Sequence, residues 1–250
     1  MRPMNDRNEL SLLIDMHCHS SGISRCCRIA APDVIKAAKE VGLDALCLTN
    51  HYQECYLIND DAEAFAASYV AEYTYAQECA KAKGIKFFFG IEVTAKLHDN
   101  AHLLIYGIQP DFVLKNPRMF EYPQQKLYQL VDESYGLLVQ AHPFRNGGHV
   151  LDTHSLHGIE INCHPLYDAT HSDEIIEIAT NTGLIPTCGG DYHADAYRPI
   201  CGIHMPDDIQ NEHDFAHYLK KTREIRIHIH ELRTTEHADY IFDFSNKQSR

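Results

Sequence analysis

Short apolar runs rich in β-branched and aromatic residues recur along the chain, and they restrict the possible folds more than any other feature. Each run has the length and composition of a buried strand. The seven predicted strands are Leu10–Met16, Ala45–Thr49, Phe87–Val93, Leu103–Gly107, Gly136–Ala141, Gly158–Cys163 and Ile185–Gly189. The helical patterns between them are Pro32–Val41, Phe65–Lys83, about Gln124–Tyr135 and Ile175–Thr182. Alternating strands and helices predict a parallel α/β architecture, and this many strands in 250 residues favour a closed barrel.

One connection is too short for a crossover helix. Only Thr94–Ala101 separates the third predicted strand from the fourth, which predicts a local antiparallel hairpin. No repeat, low-complexity tract or Pro/Ser-rich linker interrupts the chain. We therefore expect one domain over residues 1–250 with a core of about 10–230, a polar leader at Met1–Glu9 and a frayed tail from Lys247.

Charge and apolar content exclude several classes of protein. The chain has 22 Lys and Arg against 35 Asp and Glu, a net charge of −13, which opposes binding to a long phosphate backbone. The longest early apolar stretch, Leu10–Met16, is too short for a signal sequence or a membrane span. We expect a cytoplasmic protein without a membrane or long nucleic-acid partner. Its oligomeric state stays open.

Cysteine and histidine usage differ sharply. The nine cysteines are scattered without a CxxC pair, so the sequence indicates neither a disulfide framework nor a zinc knuckle. The 18 histidines, in contrast, are about three times an even share for a chain of this size. Their positions relative to the strands are therefore the next question.

Metal-ligand residue types stand at the ends of the predicted strands. His17 and His19 end the first strand, and residues two apart on a strand share a face, so both imidazoles can reach one ion. The ends of five further strands carry His51, Glu92, His142, His164, Asp191 and His193. In an α/β barrel, these C-terminal ends form one rim, where sites are built. A hairpin after the third strand would return His102 to the same rim beside Glu92.

Each residue by itself also has a structural interpretation. Glu92 alone could be a buried carboxylate bonded to backbone amides, and Asp191 after two glycines could shape a turn. His164 fits a pocket-lining role and a structural role equally well. A second H-x-H, His228 and His230, has no carboxylate or turn glycine beside it, so we expect it on an edge strand outside the site. The conjunction on one rim favours a metal centre.

The motifs together resemble one family, the PHP (polymerase and histidinol phosphatase) metal-dependent phosphoesterases. The matches are D-x-H-x-H at Asp15, T-N-H at Thr49 where the family usually has T-D-H, G-I-E at Gly90, H-L-L-x-Y-G at His102, A-H-P at Ala141 and G-G-D-x-H at Gly189 where the family usually has G-S-D-x-H. They follow the family order from residue 15 to 193, over most of the chain.

The resemblance implies a distorted (β/α)7 TIM-like barrel of the PHP type with two or three divalent transition-metal ions (Zn, Mn or Fe) at its rim. Carried over position by position, it implies one ion on His17, His19, Glu92 and Asp191, a second on Glu92, His102 and His142, and a third on His51 and His193. Glu92 would bridge the first two ions.

One departure affects the third ion. Family members place an acidic or His ligand just after the H-x-H turn, whereas Arg25 stands at about that place here. We expect the neighbouring Cys26 and Cys27 to be packing residues, because a soft thiolate is unusual in an N/O cluster. A guanidinium can grip a phosphate bidentately, so Arg25, Arg145 and Arg198 are predicted substrate contacts.

The chemistry expected of this site is hydrolysis of a phosphate monoester or short phosphodiester by a metal-bound hydroxide. Glu92 and Asp191 would hold the ions, arginines would neutralise the phosphoryl oxygens, and His164 or a coordinated water would protonate the leaving oxygen. The substrate is expected to be a small phosphorylated molecule. Two alternatives stay open: an amidohydrolase-type C–N hydrolase, which commonly bridges its metals with a modified lysine, and a metal-binding regulatory module without turnover.

Overall fold

The structure, a computed structural model, describes residues 10–165, 170–193, 198–231 and 236–243. The predicted leader at Met1–Glu9 and the predicted tail from Lys247 lie outside these ranges. In the part of the chain that is described, no helix is long and apolar enough to cross a membrane.

The first half of the chain builds strands and helices, and its strands are parallel except for the last one. The elements are β1 (Leu10–Cys18), α1 (Ala31–Glu40), β2 (Ala45–Leu48), β3 (His51–Tyr52), α2 (Ala62–Lys83), β4 (Lys86–Ala95) and β5 (Ala101–Tyr106). α2 begins earlier than the sequence predicts because the Asp61 side chain caps it, accepting from the Ala64 amide at 2.9 Å. It ends at Gly84, whose φ of 66° is the left-handed conformation typical of a helix C-terminus.

The second half of the chain adds the remaining helices and strands. They are α3 (Asp111–Lys115), α4 (Gln124–Glu133), β6 (Leu137–Gln140), β7 (Gly158–Asn162), α5 (Ser172–Thr182), β8 (Ile185–Gly189), β9 (Gly202–Pro206), α6 (Glu212–Lys221), β10 (Glu224–Glu231) and β11 (Glu236–Asp243). The expected hairpin is confirmed: β5 pairs antiparallel with β4, and Thr94 lies opposite His102. β5 is antiparallel to both of its neighbours, β4 and β6, so β4 and β6 run in the same direction.

The strands form one curled sheet in the order β11-β10-β9-β1-β2-β4-β5-β6-β7-β8, with β3 beside β4. The α/β fold is confirmed, but a regular (β/α)7 barrel is not, because β5, β9 and β10 run antiparallel to neighbours. β10 pairs with β9 and β11, so the expectation of an edge strand at His228 and His230 is wrong. Its local pattern is polar because one of its faces lies near the surface, although both of its edges are paired.

The fold creates one rim and one seam. β1, β2, β4, β6, β7 and β8 all run in the same direction, so their C-terminal ends meet on one side of the sheet. Among the described residues, no hydrogen-bonded ladder joins β8 to β1 or β9; a single bridge between Cys18 and Tyr192 crosses there. The curled sheet thus approaches closure without a continuous ladder.

Candidate metal centre

Eight side chains from the rim converge on one place, and we call them the ligand cluster. They are His17, His19, His51, Glu92, His102, His142, Asp191 and His193, which are all eight predicted ligands. Overlapping groups of three place their ligand atoms within 4.8 Å of one another, including His17, His19 and Glu92. Most of these side chains are buried, so the sheet holds several ionisable groups away from water.

Glu92 divides the ligand cluster between its two carboxylate oxygens. Oε1 lies 2.7 Å from His102 Nδ1, 3.1 Å from His142 Nε2 and 3.4 Å from His17 Nε2. Oε2 lies 2.6 Å from His51 Nδ1 and 3.4 Å from His19 Nε2. A carboxylate whose two oxygens face different imidazoles has the arrangement of a bridging ligand.

His17 and His19 turn the same ring atom toward each other. Their Nε2 atoms lie 3.1 Å apart, and Asp191 Oδ1 is 3.0 Å from His19 Nε2. His17 Nδ1 lies 2.8 Å from Glu160 Oε1, and a carboxylate there fixes the proton on Nδ1. The lone pair of Nε2 is then available for an ion.

Ser24 holds the proton of His19 on Nδ1, as Glu160 does for His17. Its Oγ donates to Asn50 Oδ1 at 2.8 Å, and therefore accepts from His19 Nδ1 at 3.0 Å. Asn50 Oδ1 also accepts from the Ser20 amide at 2.8 Å. Asn50, which replaces the usual Asp of the motif, thus uses its carboxamide to position the loop after β1.

Sequence reasoning missed Glu160 and Ser24 as functional residues. Glu160 is fully buried in β7, and its Oε2 accepts from the His142 backbone amide at 3.1 Å and from the Asn162 side-chain Nδ2 at 3.0 Å. A signal was present, because a glutamate in the apolar run Gly158–Cys163 is costly unless it has partners. Ser24 gave no such signal, because serine is common in loops.

Buried polar atoms without hydrogen-bond partners test whether the residues fit an ion. His51 Nδ1 and Glu92 Oε2 lie 2.6 Å apart, and both are buried, but neither atom has a partner with the geometry of a hydrogen bond. Buried polar atoms without a partner destabilise the fold unless a bound ligand supplies the missing partner. Imidazole nitrogens and carboxylate oxygens suit Zn, Mn or Fe, so the donor set fits a divalent transition-metal ion.

The electrostatics of the ligand cluster keep its acids ionised. Burial alone would raise the pKa of Glu92, but the charges of His102, His51 and His17 outweigh it and hold the pKa well below the usual range. For Asp191, burial is likewise outweighed by His17 and His19, which hold its pKa well below normal. Two carboxylates that stay charged in a buried site attract cations.

Backbone geometry at the rim is strained where the chain approaches the ligand cluster. His142 has a φ of 27° and Asp191 a φ of 46°, both in a region that L residues rarely adopt. A Cβ on Gly189 would lie 2.3 Å from the His17 Cβ, so only glycine lets β8 pass this close to β1.

Cys26 lies against two members of the ligand cluster, contrary to our expectation of a packing residue. Burial would raise the pKa of Cys26, but hydrogen bonds with His193 and His51 outweigh it and lower the pKa to about 6. Cys27 fits the expectation: its Sγ lies 3.5 Å from the His19 carbonyl oxygen, and burial raises its pKa to about 11. Cys26 is therefore the soft donor next to the predicted third ion position.

Arg25 is placed differently from Cys26. Its guanidinium donates to the Cys55 carbonyl at 3.1 Å and the Tyr56 carbonyl at 2.8 Å, and it lies 4.7 Å from the Tyr56 ring centroid. The contacts of Arg25 are thus with the loop after β3. Its predicted contact with substrate remains a prediction.

Arg198 is buried and paired beneath the ligand cluster. Its Nη2 lies 2.8 Å from Asp15 Oδ2, and the Asp15 Oδ1 accepts from the amides of His17 at 3.0 Å and Gly190 at 2.9 Å. The pair ties the end of β1 to the chain after β8. Breaking a buried ion pair costs about 3–5 kcal/mol, so Arg198 holds this part of the rim together.

Arg145 lines an open cavity beside the ligand cluster. The cavity has a volume of about 410 Å³, and its lining includes His98, His102, His142, Arg145 and His149. Arg145 Nη1 lies 3.5 Å from His142 Nε2. Of the three predicted arginines, Arg145 is the one that lines this cavity, where an anion would meet basic side chains.

His164 borders the ligand cluster near His193, with ring centroids 6.0 Å apart. Burial lowers the pKa of His164 to about 4, so the imidazole is neutral at neutral pH. A bound phosphate beside it would raise the pKa again. Its predicted role as proton donor remains a prediction.

His228 and His230 lie elsewhere, as we expected. His228 contacts Asp239 at 2.7 Å and His237 at 3.0 Å, and His230 stacks on His237 with 4.1 Å between centroids. A C–N hydrolase commonly bridges its metals with a lysine, but the two lysines nearest to Glu92 in the sequence, Lys86 and Lys96, contact other residues. Lys86 Nζ binds the Asp207 and Ile209 carbonyls, and Lys96 Nζ lies 2.7 Å from Glu54.

Comparison with known proteins decides the family. The family model of the PHP domain matches residues 15–190. The chain belongs to the PHP domain family. The resemblance drawn from the motifs is thereby confirmed, and the PHP match contains six of the eight predicted ligands; Asp191 and His193 follow just beyond it.

Solved structures agree on the fold. A candidate metal-dependent phosphoesterase from Bifidobacterium adolescentis has a TM-score of 0.53 at 15% identity, over 84% of this chain and 96% of that one. A two-domain protein from Bacteroides vulgatus with a predicted PHP-like metal-dependent phosphoesterase scores 0.55 at 17%, over 93% and 65%. PsfC from Pseudomonas syringae scores 0.53 at 16%, over 88% and 82%. A comparison with curated proteins found no match.

Proposed function

We propose that the chain is a metal-dependent phosphoesterase that hydrolyses a small phosphate monoester or short phosphodiester at the ligand cluster. The observation that carries the proposal is Glu92, whose two oxygens face His102 and His142 on one side and His51 and His19 on the other. This placement supports one carboxylate shared by two ions, as in-line phosphoryl displacement uses.

The residues divide into three ion positions. His17, His19, Glu92 and Asp191 would hold the first, and Glu92 with His102 and His142 the second. For the third we propose His51, His193 and Cys26, because the Cys26 side chain contacts both imidazoles. When bound, Zn, Mn or Fe would polarise the phosphoryl group and activate a water molecule.

The chain's own groups would bind and orient the substrate. Arg145 lines the cavity beside the ligand cluster, and a guanidinium can hold two phosphoryl oxygens at once, so it favours a small phosphorylated substrate. Glu160 and Ser24 keep the protons of His17 and His19 on Nδ1, so that both Nε2 atoms stay available. The net charge of −13 disfavours long nucleic acid as a substrate.

The test compares phosphate and amide substrates on the chain loaded with Mn or Zn. We expect release of p-nitrophenol from p-nitrophenyl phosphate or its bis ester, and no release of p-nitroaniline from p-nitroacetanilide. Glu92→Gln should lower the rate on the order of 100-fold. Glu212→Gln should leave the rate unchanged. Glu212 is another buried glutamate, and it accepts hydrogen bonds from the Tyr73 hydroxyl and the Phe89 amide.

Other outcomes have defined meanings. Turnover of the anilide alone would replace the proposal with C–N hydrolysis. Metal binding without turnover of any substrate in a panel of nucleotide and sugar monophosphates would favour a regulatory module.

A further inference from the structure

Three cysteines from distant parts of the chain meet in the interior, apart from the ligand cluster. Cys163 follows β7, Cys188 lies in β8 and Cys201 precedes β9. Their sulfur atoms all lie within 4.8 Å of one another, and each residue is at most 2% exposed. We call them the thiol triad.

The thiol triad lies where the curled sheet approaches closure. Cys163 and Cys188 lie at the end of β7 and in β8, the last two strands of the parallel part of the sheet. Cys201 lies just before β9, in the antiparallel part. The described residues provide no ladder between β8 and β9. The three sulfurs therefore lie together at the seam, where the backbones of β8 and β9 are not paired.

The spacing of the sulfurs fits an ion better than it fits a disulfide. Cys163 Sγ and Cys188 Sγ are 3.7 Å apart, well beyond the S–S bond length of about 2.05 Å. Around a tetrahedral zinc with Zn–S bonds of about 2.3 Å, two sulfurs lie about 3.8 Å apart. The pair already has nearly this separation.

The backbone of the neighbouring strand contacts two of the sulfurs and stabilises the thiolate of one, Cys163. The Cys188 thiol lies 3.5 Å from the His228 carbonyl oxygen, and the His230 amide hydrogen-bonds to Cys163 Sγ. An amide that donates to sulfur stabilises a thiolate. Cys18 and Cys47 are also buried, but the Cys18 thiol donates to the Cys47 carbonyl oxygen at 3.2 Å.

We propose that Cys163, Cys188 and Cys201 form a second, structural metal site that binds one thiophilic divalent cation, Zn²⁺, and clasps the seam. On binding, each coordinating thiol releases its proton to solvent and forms a metal–sulfur bond. The site is distinct in chemistry from the N/O ligand cluster, because three sulfurs prefer zinc over manganese or magnesium.

The experiment isolates the sulfurs of the thiol triad. The full chain with Cys26→Ser, which removes the thiol beside the ligand cluster, is produced with zinc in the medium, and zinc-edge X-ray absorption is recorded. We expect a sulfur shell at about 2.3 Å in addition to nitrogen and oxygen at about 2.0–2.1 Å. Adding Cys201→Ala should remove the sulfur shell and lower the zinc content by about one ion per chain.

Cys47→Ala in the same background is the matched control, since Cys47 is also fully buried, and it should keep the sulfur shell. Absence of the sulfur shell in the Cys26→Ser chain overturns the proposal, even if Cys201→Ala fails to fold. A sulfur shell that survives Cys201→Ala, or a mass lower by two hydrogens that reveals a disulfide, also overturns it. None of these readouts depends on turnover at the ligand cluster.

Discussion

Nδ1 of His17 lies 2.8 Å from Oε1 of Glu160, and both side chains are fully buried. The two residues are 143 positions apart and come from β1 and β7. Glu160 also binds the His142 amide, so one carboxylate orients a ligand on each side of the ligand cluster. This is the arrangement in which a carboxylate fixes the tautomer of a metal-binding imidazole.

Glu160→Gln should weaken metal binding about 10- to 100-fold, because a carboxamide holds the Nδ1 proton of His17 less strongly. The measurement is titration of the metal-free chain with Zn²⁺ or Mn²⁺. Glu212→Gln is the control, with a buried glutamate outside the ligand cluster. Equal affinities in the three proteins would mean that Glu160 is only a packing residue.

Cys26 should react as a thiolate when no metal is bound. Its pKa is lowered to about 6 by His193 and His51 against the effect of burial, so alkylation by iodoacetamide should rise with pH around that value. Cys27, whose pKa burial raises to about 11, serves as the neighbouring control and should stay unlabelled at pH 7. Added zinc should slow the labelling of Cys26. Labelling that zinc leaves unchanged would contradict the third ion position.

Replacing both His228 and His230 with Gln should leave metal content and turnover unchanged. These residues contact His237 and Asp239 between β10 and β11, far in the sheet order from β4 and its Glu92. We expect a loss of unfolding free energy of about 1 kcal/mol or less. Elemental analysis of the chain loaded with Mn²⁺, which the sulfurs of the thiol triad disfavour, provides the check, and a lost Mn²⁺ ion would show that the ligand cluster has been assigned to the wrong histidines.

His157 should make the stability of the fold depend on pH. Its Nδ1 accepts from the Leu138 amide at 3.0 Å and its Nε2 donates to Asp132 at 3.0 Å, so the folded state holds a neutral ring. Burial lowers the pKa of His157 in the folded state. A lowered histidine pKa contributes stability above the unfolded value of about 6.5, and this contribution is lost as the pH falls below it.

Denaturant unfolding between pH 7.5 and 5.5 tests this contribution. Relative to His157→Gln, the wild-type chain should lose at most about 1.4 kcal/mol of unfolding free energy per pH unit. His154→Gln is the control, because the His154 side chain is 86% exposed. A His157→Gln chain with the same pH dependence as the wild type would refute the role of His157.

The sequence predicted the rim and its candidate ligands. Apolar runs locate strands, and the direction of parallel strands brings their C-terminal ends together, so His17, His19, Asp191 and the rest could be assigned before their distances were known. The short connection Thr94–Ala101 likewise predicted the hairpin that returns His102 to Glu92. These inferences depend only on local pattern and on chain direction.

Other features depend on which distant residues become neighbours. Strand periodicity assigns a residue to a face, but it does not identify the residue opposite, so the contact of Cys26 with His51 and His193 was misjudged. The pairing of Arg198 with Asp15 and of β10 with β9 was hidden for the same reason. Cys163, Cys188 and Cys201 show it most clearly: their spacing matches no cysteine motif, and only the curling of the sheet brings their sulfurs together.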